Sequence, residues 1–247
     1  MRLVTYNVLA DPYIRPEYYP NVAPEHLDPA WRRPALARQI LALDCDVVCL
    51  QEVTGPVFAA LERDLGSGYT GRFGQKSGRP DGCATFVRAP AVLKECRAVH
   101  YRDGDPPSGH LALVCTVELH GQRLAVANTH LRWDPPGTPR ARSLGVRQIE
   151  QVLFELHPTV IVGDLNAVPD SDVCAAVRAA GFRDVHGQTH QPTCNANASA
   201  RRLDYVFVHP SLAADPLPLP SIDDHTPLPS AEHPSDHLPV VVTLGFP

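Results

Sequence analysis

Seven short apolar runs each carry, at one end, a residue able to bind metal or phosphate. They are RLVTYN with Asn7, DVVCLQE with Glu52, RLAVANTH with His130, TVIVGDLN with Asp164 and Asn166, RLDYVF with Asp204, PSDHLPVVV with Asp236 and His237, and, more weakly, DGCATFV with Asp81. One polar residue at a strand end is ordinary. The repeated pairing of an apolar strand with a carboxylate, amide or imidazole predicts strand ends converging on one acidic, histidine-containing cleft.

Each residue has a plain reading and a chemical one. Glu52 alone reads as a surface glutamate at a strand exit. At the end of a buried strand its charge has a desolvation cost unless a cation or donor meets it. Magnesium takes oxygen ligands and keeps several waters, so one or two carboxylates are enough. Asp164 and Asn166 stand two apart, on one side of an extended segment. The carboxylate can orient or deprotonate water, and the amide can hold a phosphate oxygen or ligate metal. An Asp–Asn turn after a strand is the common alternative. His130 and His237 are candidates for stabilising charge on a phosphoryl group, given a partner that fixes the tautomer and keeps the ring protonated. Asp204 could serve His237, and Asp236 could reach metal. Of the twelve histidines most are surface residues, among them His26, His100, His120 and His157. Asn7 is a fair oxygen ligand. Arg132, Arg147, Arg201 and Arg202 flank the motifs and could contact phosphate, although most such arginines are simply solvated.

The elements that must position these residues follow from periodicity. Strands are expected at 2–9, 46–53, 68–74, 82–88, 91–101, 110–119, 122–131, 159–164, 203–208 and 238–244. Helices are expected at 31–43, 56–65, 143–157 and 171–180, the last ended by Gly181. Residues 12–30 read as a Pro- and Tyr-rich loop. Residues 210–234 hold seven prolines and little periodicity, so a long loop is expected there, functional or simply solvated. Two packed sheets with helices outside satisfy the order. A doubly wound single sheet competes, but the run of strands in the middle counts against it.

The 247 residues and 44% hydrophobic content suit one large domain, residues 1–247. The basic residues are 20 Arg against two Lys, Lys76 and Lys94. A net charge of −5 argues against a broad duplex-DNA-binding face and favours small or single-stranded substrates. Seven cysteines without a CxxC read as buried free thiols in a reducing compartment, not a zinc site. No signal-like start and no apolar run of membrane length is present, so a cytoplasmic protein is expected. The lack of a GxSxG elbow, a P-loop or a Rossmann fingerprint removes serine hydrolase and those nucleotide-binding classes.

The motifs TYNVLAD, CLQEV, DGCATF, ANTHLRWDP, VGDLNAVPDS, RLDYVF and LPSAEHPSDHLP, in this order, resemble the endonuclease/exonuclease/phosphatase superfamily. They are most similar to its deadenylase, Angel and nocturnin branch, over residues 3 to 244. The resemblance implies a DNase I-like four-layered α/β/β/α sandwich, two mixed sheets flanked by helices. It also implies magnesium-dependent phosphoester hydrolysis, with manganese as a possible substitute. Asn7, Glu52 and Asp236 match the metal side. Asp164 matches the residue that orients water, Asn166 a phosphate holder, and His130 and His237 the charge-stabilising pair, with Asp204 behind His237. Asp81 matches a substrate-side position, and Arg132 and Arg147 are further substrate candidates. The leucine-rich repeats of some deadenylases are missing. The segment PPGTPRARSLGVRQ departs from the branch's usual DVKL-type sequence, and His233 replaces an aromatic residue before PSDH. The expected enzyme is a monomer acting on single-stranded RNA 3′ ends or nucleotides. Within the family the alternative is a phosphatase for 2′,3′-cyclic or 2′-phosphates; a non-catalytic RNA-binding module is the remote one.

Overall fold

The structure, a computed structural model, describes residues 1–245. In chain order the elements are β1 (Arg2–Asn7), α1 (Pro29–Ala42), β2 (Val47–Thr54), α2 (Gly55–Leu65), β3 (Tyr69–Gln75), β4 (Asp81–Arg88) and β5 (Val92–His100). There follow β6 (Leu111–Leu119), β7 (Gln122–His130), α3 (Leu144–Gln151), β8 (Val160–Asp164), α4 (Asp172–Ala179) and β9 (Arg183–Asp184). The chain then forms β10 (Cys194–Ala196), β11 (Ser199–Arg201), β12 (Asp204–Val208), β13 (Ala213–Pro216) and β14 (Val240–Gly245).

Two six-stranded mixed sheets result, ordered β13-β14-β1-β2-β4-β3 and β5-β6-β7-β8-β12-β9. Strand alternation sorts side chains into layers. Leu3, Val47, Cys49, Val126, Val160, Val162, Val206 and Val240 pack together between the sheets. Their neighbours in sequence, Val4, Val48 and Leu50, pack with Leu36 and Ile40 of α1 and Leu61 of α2. Ala127, Ile161, Tyr205 and Phe207 pack with Ile149 of α3 and Val177 of α4. This is a four-layered α/β/β/α sandwich. Each helix starts at a side-chain cap: Asp28, Thr54, Ser143 and Ser171 accept from the amides of Ala30, Val57, Val146 and Cys174.

Towards one end of the inter-sheet layer the residues turn polar. Gln51 donates to Thr5 Oγ1 (2.9 Å) and Asn128 Oδ1 (2.7 Å), and Asn128 donates to the Ala84 carbonyl (2.9 Å). All four are fully buried, and these bonds across the two sheets fix their relative register just beneath the strand ends, although Gln51 Oε1 itself has no partner.

Several local expectations are corrected. The helix expected at 143–157 changes at Val152–Leu156 into a π-helical turn that ends at His157 in the left-handed conformation. The Pro-rich stretch contributes β13, an edge strand on β14, where proline is tolerated. The rest of it is anchored by Asn195, whose side chain donates to the Thr226 carbonyl (2.7 Å), and by a small core of Ile222, Leu228 and Leu238. Five cysteines are free and buried, but Cys115 is disulfide-bonded to Cys96, its directly opposite residue on β5. Among the described residues no helix is long and apolar enough to cross a membrane.

Candidate active site

Strand register aligns the chemistry. The parallel pairing of β7 with β8 sets His130 beside Asp164, and the antiparallel pairing of β8 with β12 sets Asp164 beside Asp204. Close approach of β7 and β8 requires Gly163: it lies at φ 142°, and a Cβ there would meet the Thr129 carbonyl oxygen at 1.8 Å. A bridge between Cys194 and His237 delivers the fourth residue. His237 Nδ1 lies 2.8 Å from Asp204 Oδ2, which also accepts from Thr193 Oγ1 at 2.6 Å. Asp164 Oδ2 then stands 3.8 Å from His237 Nε2 and 3.6 Å from His130 Nε2.

The two histidines differ electrically. Burial by itself would lower the pKa of His237, but the Asp204 carboxylate overrides it and holds the ring well above the usual histidine range, hence charged. Burial, reinforced by the charges of Lys76 and His237, drives His130 well below that range, hence neutral. Its approach to Asp164 is therefore not an ion pair, and the expectation of two protonated rings is corrected. Lys76 Nζ lies 3.2 Å from His130 Nδ1. Asn166 Nδ2 lies 2.9 Å from Nε2, so both ring nitrogens face donors and the neutral ring accepts at one of them. Burial pushes the Asp164 carboxyl up to about 7, against the pull of His237 and hydrogen bonds from Asn7 Nδ2 (3.0 Å) and the Asn166 amide (2.8 Å). That last bond belongs to a turn: Asn166 is left-handed at φ 49°, not part of an extended segment.

Glu52 faces the same cleft because β2 is irregular. The register with β4 shifts between Leu50 and Val53, and Glu52 takes φ 58°, a strained conformation for glutamate. Its oxygens accept from Asn7 Nδ2 (3.1 Å) and the Ala10 amide (2.9 Å). Burial, then the charge of Asp236, raises its pKa. Asp236 is buried and accepts from Tyr19 Oη at 3.0 Å. Glu52, Asp164, Asp204 and Asp236 thus gather against the charge of His237, and Asp204 Oδ1 is buried without a partner. An oxygen-rich, under-neutralised group of this kind fits a hard divalent cation. Asp164, Asp204 and His237 offer atoms within 4.8 Å of one another, but the direct His237–Asp204 bond makes that trio a relay rather than a cage. Glu52 and Asp236 are the better oxygen donors. Asn7 as it stands turns nitrogen towards the carboxylates, while its Oδ1 accepts from the Leu9 amide at 3.0 Å. Ligation by that oxygen needs the amide to turn.

With this geometry in hand, the family follows from comparison. A model of the endonuclease/exonuclease/phosphatase family matches residues 4–237. The chain belongs to that family. Human 2′,5′-phosphodiesterase 12 is 27% identical over the whole of this chain and 52% of its own length. The chain thus spans about half the length of such relatives. Carbon catabolite repressor protein 4 homolog 4 of Arabidopsis thaliana is 27% identical over 97% of this chain and 76% of its own. Among solved structures, ANGEL2, described as a 2′,3′-cyclic phosphatase, superposes with a TM-score of 0.85 at 21% identity, covering 98% of this chain and 94% of that one.

Not every family-matched position reaches this cleft. Asp81 has no exposure in this structure. Its carboxylate instead accepts from Lys76 Nζ (2.7 Å) and Tyr13 Oη (2.6 Å). Arg147 lies on the outer face of α3, donating to the carbonyls of Asp103 and Ala141, away from the cleft. Arg202 is buried against Asp184 at 2.6 Å and stacks on Tyr205. Arg132 and Arg201 do line a cavity of roughly 480 Å³ beside Asn166, with Trp133, Pro135 and Val168 as apolar walls. Asp134 of the WDP motif caps α3, accepting from Ser143 Oγ and the Gly145 amide. The residue sequence reasoning passed over is Lys76; its signal was rarity, one of two lysines in an arginine-rich chain.

Proposed function

We propose that this protein is a magnesium-dependent phosphoesterase, with manganese as a substitute metal, acting on RNA 3′ ends or nucleotides. The observation that carries the reading is the alignment of His130, Asp164 and Asp204 on adjacent strands, with His237 charged against Asp204.

Asp164 orients the attacking water and takes its proton; a carboxyl poised near neutrality suits that task. His237 donates Nε2–H to a non-bridging phosphoryl oxygen, and His130 approaches the same Asp164 oxygen as His237. The Asn166 amide holds a further oxygen. These donors are pre-oriented where negative charge develops. The water oxygen forms the new P–O bond, the ester P–O bond breaks, and the released alkoxide takes a proton from solvent. Glu52 and Asp236, and Asn7 once its amide turns, would hold a divalent cation, which would supply Lewis-acid polarisation of the phosphoryl group. The cavity beside Asn166 lies within the size range of small-molecule sites, and its mixture of Trp133, Val168 and Arg132 suits a nucleoside carrying phosphate. The name of one sequence relative, a 2′,5′-phosphodiesterase, supports a phosphodiester substrate. A monomeric, cytoplasmic enzyme working away from membranes is part of the proposal.

One sample of enzyme should be incubated with a 3′,5′-oligoadenylate, a 2′,5′-oligoadenylate, an RNA ending in a 2′,3′-cyclic phosphate and a 2′-phosphorylated dinucleotide. Shortening of an oligoadenylate that stops in EDTA and returns with magnesium is expected. Turnover of the last two substrates alone replaces the diesterase reading with the phosphatase one. No turnover of any, with magnesium present, overturns the proposal.

A further inference from the structure

We infer that Arg32 is a positioning residue that locks together the two chain segments flanking the metal side of the cleft. The inference rests on the functional reading above. Arg32 sits in α1 and is fully buried, the largest side chain so placed. Burying a guanidinium is costly unless its fork of donors is met. Here it is met mainly by backbone. Nε donates to the Pro234 carbonyl at 2.8 Å; one terminal nitrogen donates to the carbonyls of Val8 and Leu9, the latter at 2.8 Å; the other donates to Asp11 Oδ1 at 2.8 Å.

Those carbonyls belong to the pieces of chain that aim the proposed ligands. In residues 8–10, the Ala10 amide holds Glu52 Oε2 at 2.9 Å. Leu9 itself is left-handed at φ 54°, a conformation that leucine resists unless its surroundings impose it. Pro234 precedes Ser235, whose hydroxyl donates to the Asn7 carbonyl at 2.7 Å, and then Asp236 and His237. One guanidinium therefore ties the residues that follow β1 to the return segment at Pro234. It fixes Glu52 and Asp236 without touching metal or substrate. A lysine has the charge but not the spread: its three donors leave one point and cannot span both segments.

The test is Arg32→Lys in the full chain, read by direct binding of Mn²⁺ without substrate, by kcat and KM, and by thermal unfolding. Weakening of Mn²⁺ affinity and loss of kcat by about 10- to 100-fold, with KM within about threefold, is expected, as for other outer-shell partners of metal ligands. Leu61→Val, in the α2 core, controls for generic destabilisation and should leave Mn²⁺ affinity unchanged. Should Arg32→Lys fail to fold, Asp11→Asn weakens the same clamp from the surface, and a measurable fall in Mn²⁺ affinity is expected there. Mn²⁺ affinity and kcat within twofold of the unaltered enzyme, in whichever of these two variants folds, would overturn the inference, as would an equal loss in Leu61→Val. If the unaltered protein binds Mn²⁺ but hydrolyses no phosphoester, the functional reading fails and the binding measurement still decides the role of Arg32.

Discussion

The Nδ1 of His237 donates to Asp204 Oδ2 at 2.8 Å, while its other nitrogen faces Asp164 at 3.8 Å. Asp204 thus sets the charge and the orientation of His237 together. Asp204→Asn keeps the shape but removes the charge and permits the wrong tautomer. A fall in kcat of about 100- to 10,000-fold is expected, the usual weight of a positioned acid–base group, with KM little changed. Steady-state kinetics on the oligoadenylate substrate check this. Retention of more than a tenth of kcat means that His237 does not act as a charged donor.

Metal binding should be visible as stability. Burial, and the neighbouring charge of Asp236, make the charge of Glu52 unfavourable. A cation that binds only the folded chain adds about 2.7 kcal/mol at 100 times its Kd. Magnesium should therefore raise Tm by about 5–10 °C for a domain of this size. Glu52→Gln should abolish that rise, and most of the activity, while leaving Tm in EDTA equal to or above that of the unaltered chain. A full magnesium-induced shift in Glu52→Gln would place the metal elsewhere.

Lys76 and Asp81 form an ion pair at 2.7 Å with side chains 2% and 0% exposed. Removing one partner strands a buried charge. Lys76→Met should cost about 3–5 kcal/mol in urea unfolding. The double change Lys76→Met with Asp81→Leu should recover much of that, because no charge is left unpaired. Activity should stay low in both, since His130 loses its neighbour at Nδ1, Lys76 Nζ at 3.2 Å. Additive stability losses would show that the pair is not coupled.

The sandwich and most of the cleft are legible in the sequence because both rest on local periodicity. The runs RLVTYN, RLAVANTH and TVIVGDLN are buried on both faces and still end on polar residues, so Asn7, His130 and Asp164 can be picked out. What stays hidden depends on distant contacts. Glu52 turns into the cleft through a bulge set against β4, and Asp81 is sealed by Tyr13 and Lys76 from other segments. Arg147 sits on the correct helix but on its outer face. Edge strand β13 lies in a proline-rich stretch whose pattern carries no strand signal and forms only against β14. Arg32 looks like any arginine of an amphipathic helix until the return segment closes over it.

His110 gives the fold a separate sensitivity to acid. It is 5% exposed, with Nδ1 3.0 Å from the His130 carbonyl and Nε2 buried without a partner. Burial, helped by the charge of Lys76, depresses its pKa to about 4. The folded state thus keeps the ring neutral where the unfolded chain would protonate it. A depressed histidine contributes its full stability above the unfolded value of about 6.5 and loses it as pH falls towards 4. Between pH 7.5 and pH 5 that loss is about 2 kcal/mol. His110→Gln retains a polar side chain but does not titrate. Its urea-unfolding free energy should therefore fall less over this interval, by about the same 2 kcal/mol. Glu52 and Asp164, with raised pKa values, act in the opposite sense in both proteins and cancel in the difference. Parallel pH profiles for the two would mean that His110 takes up a proton in the folded state as readily as in the unfolded one.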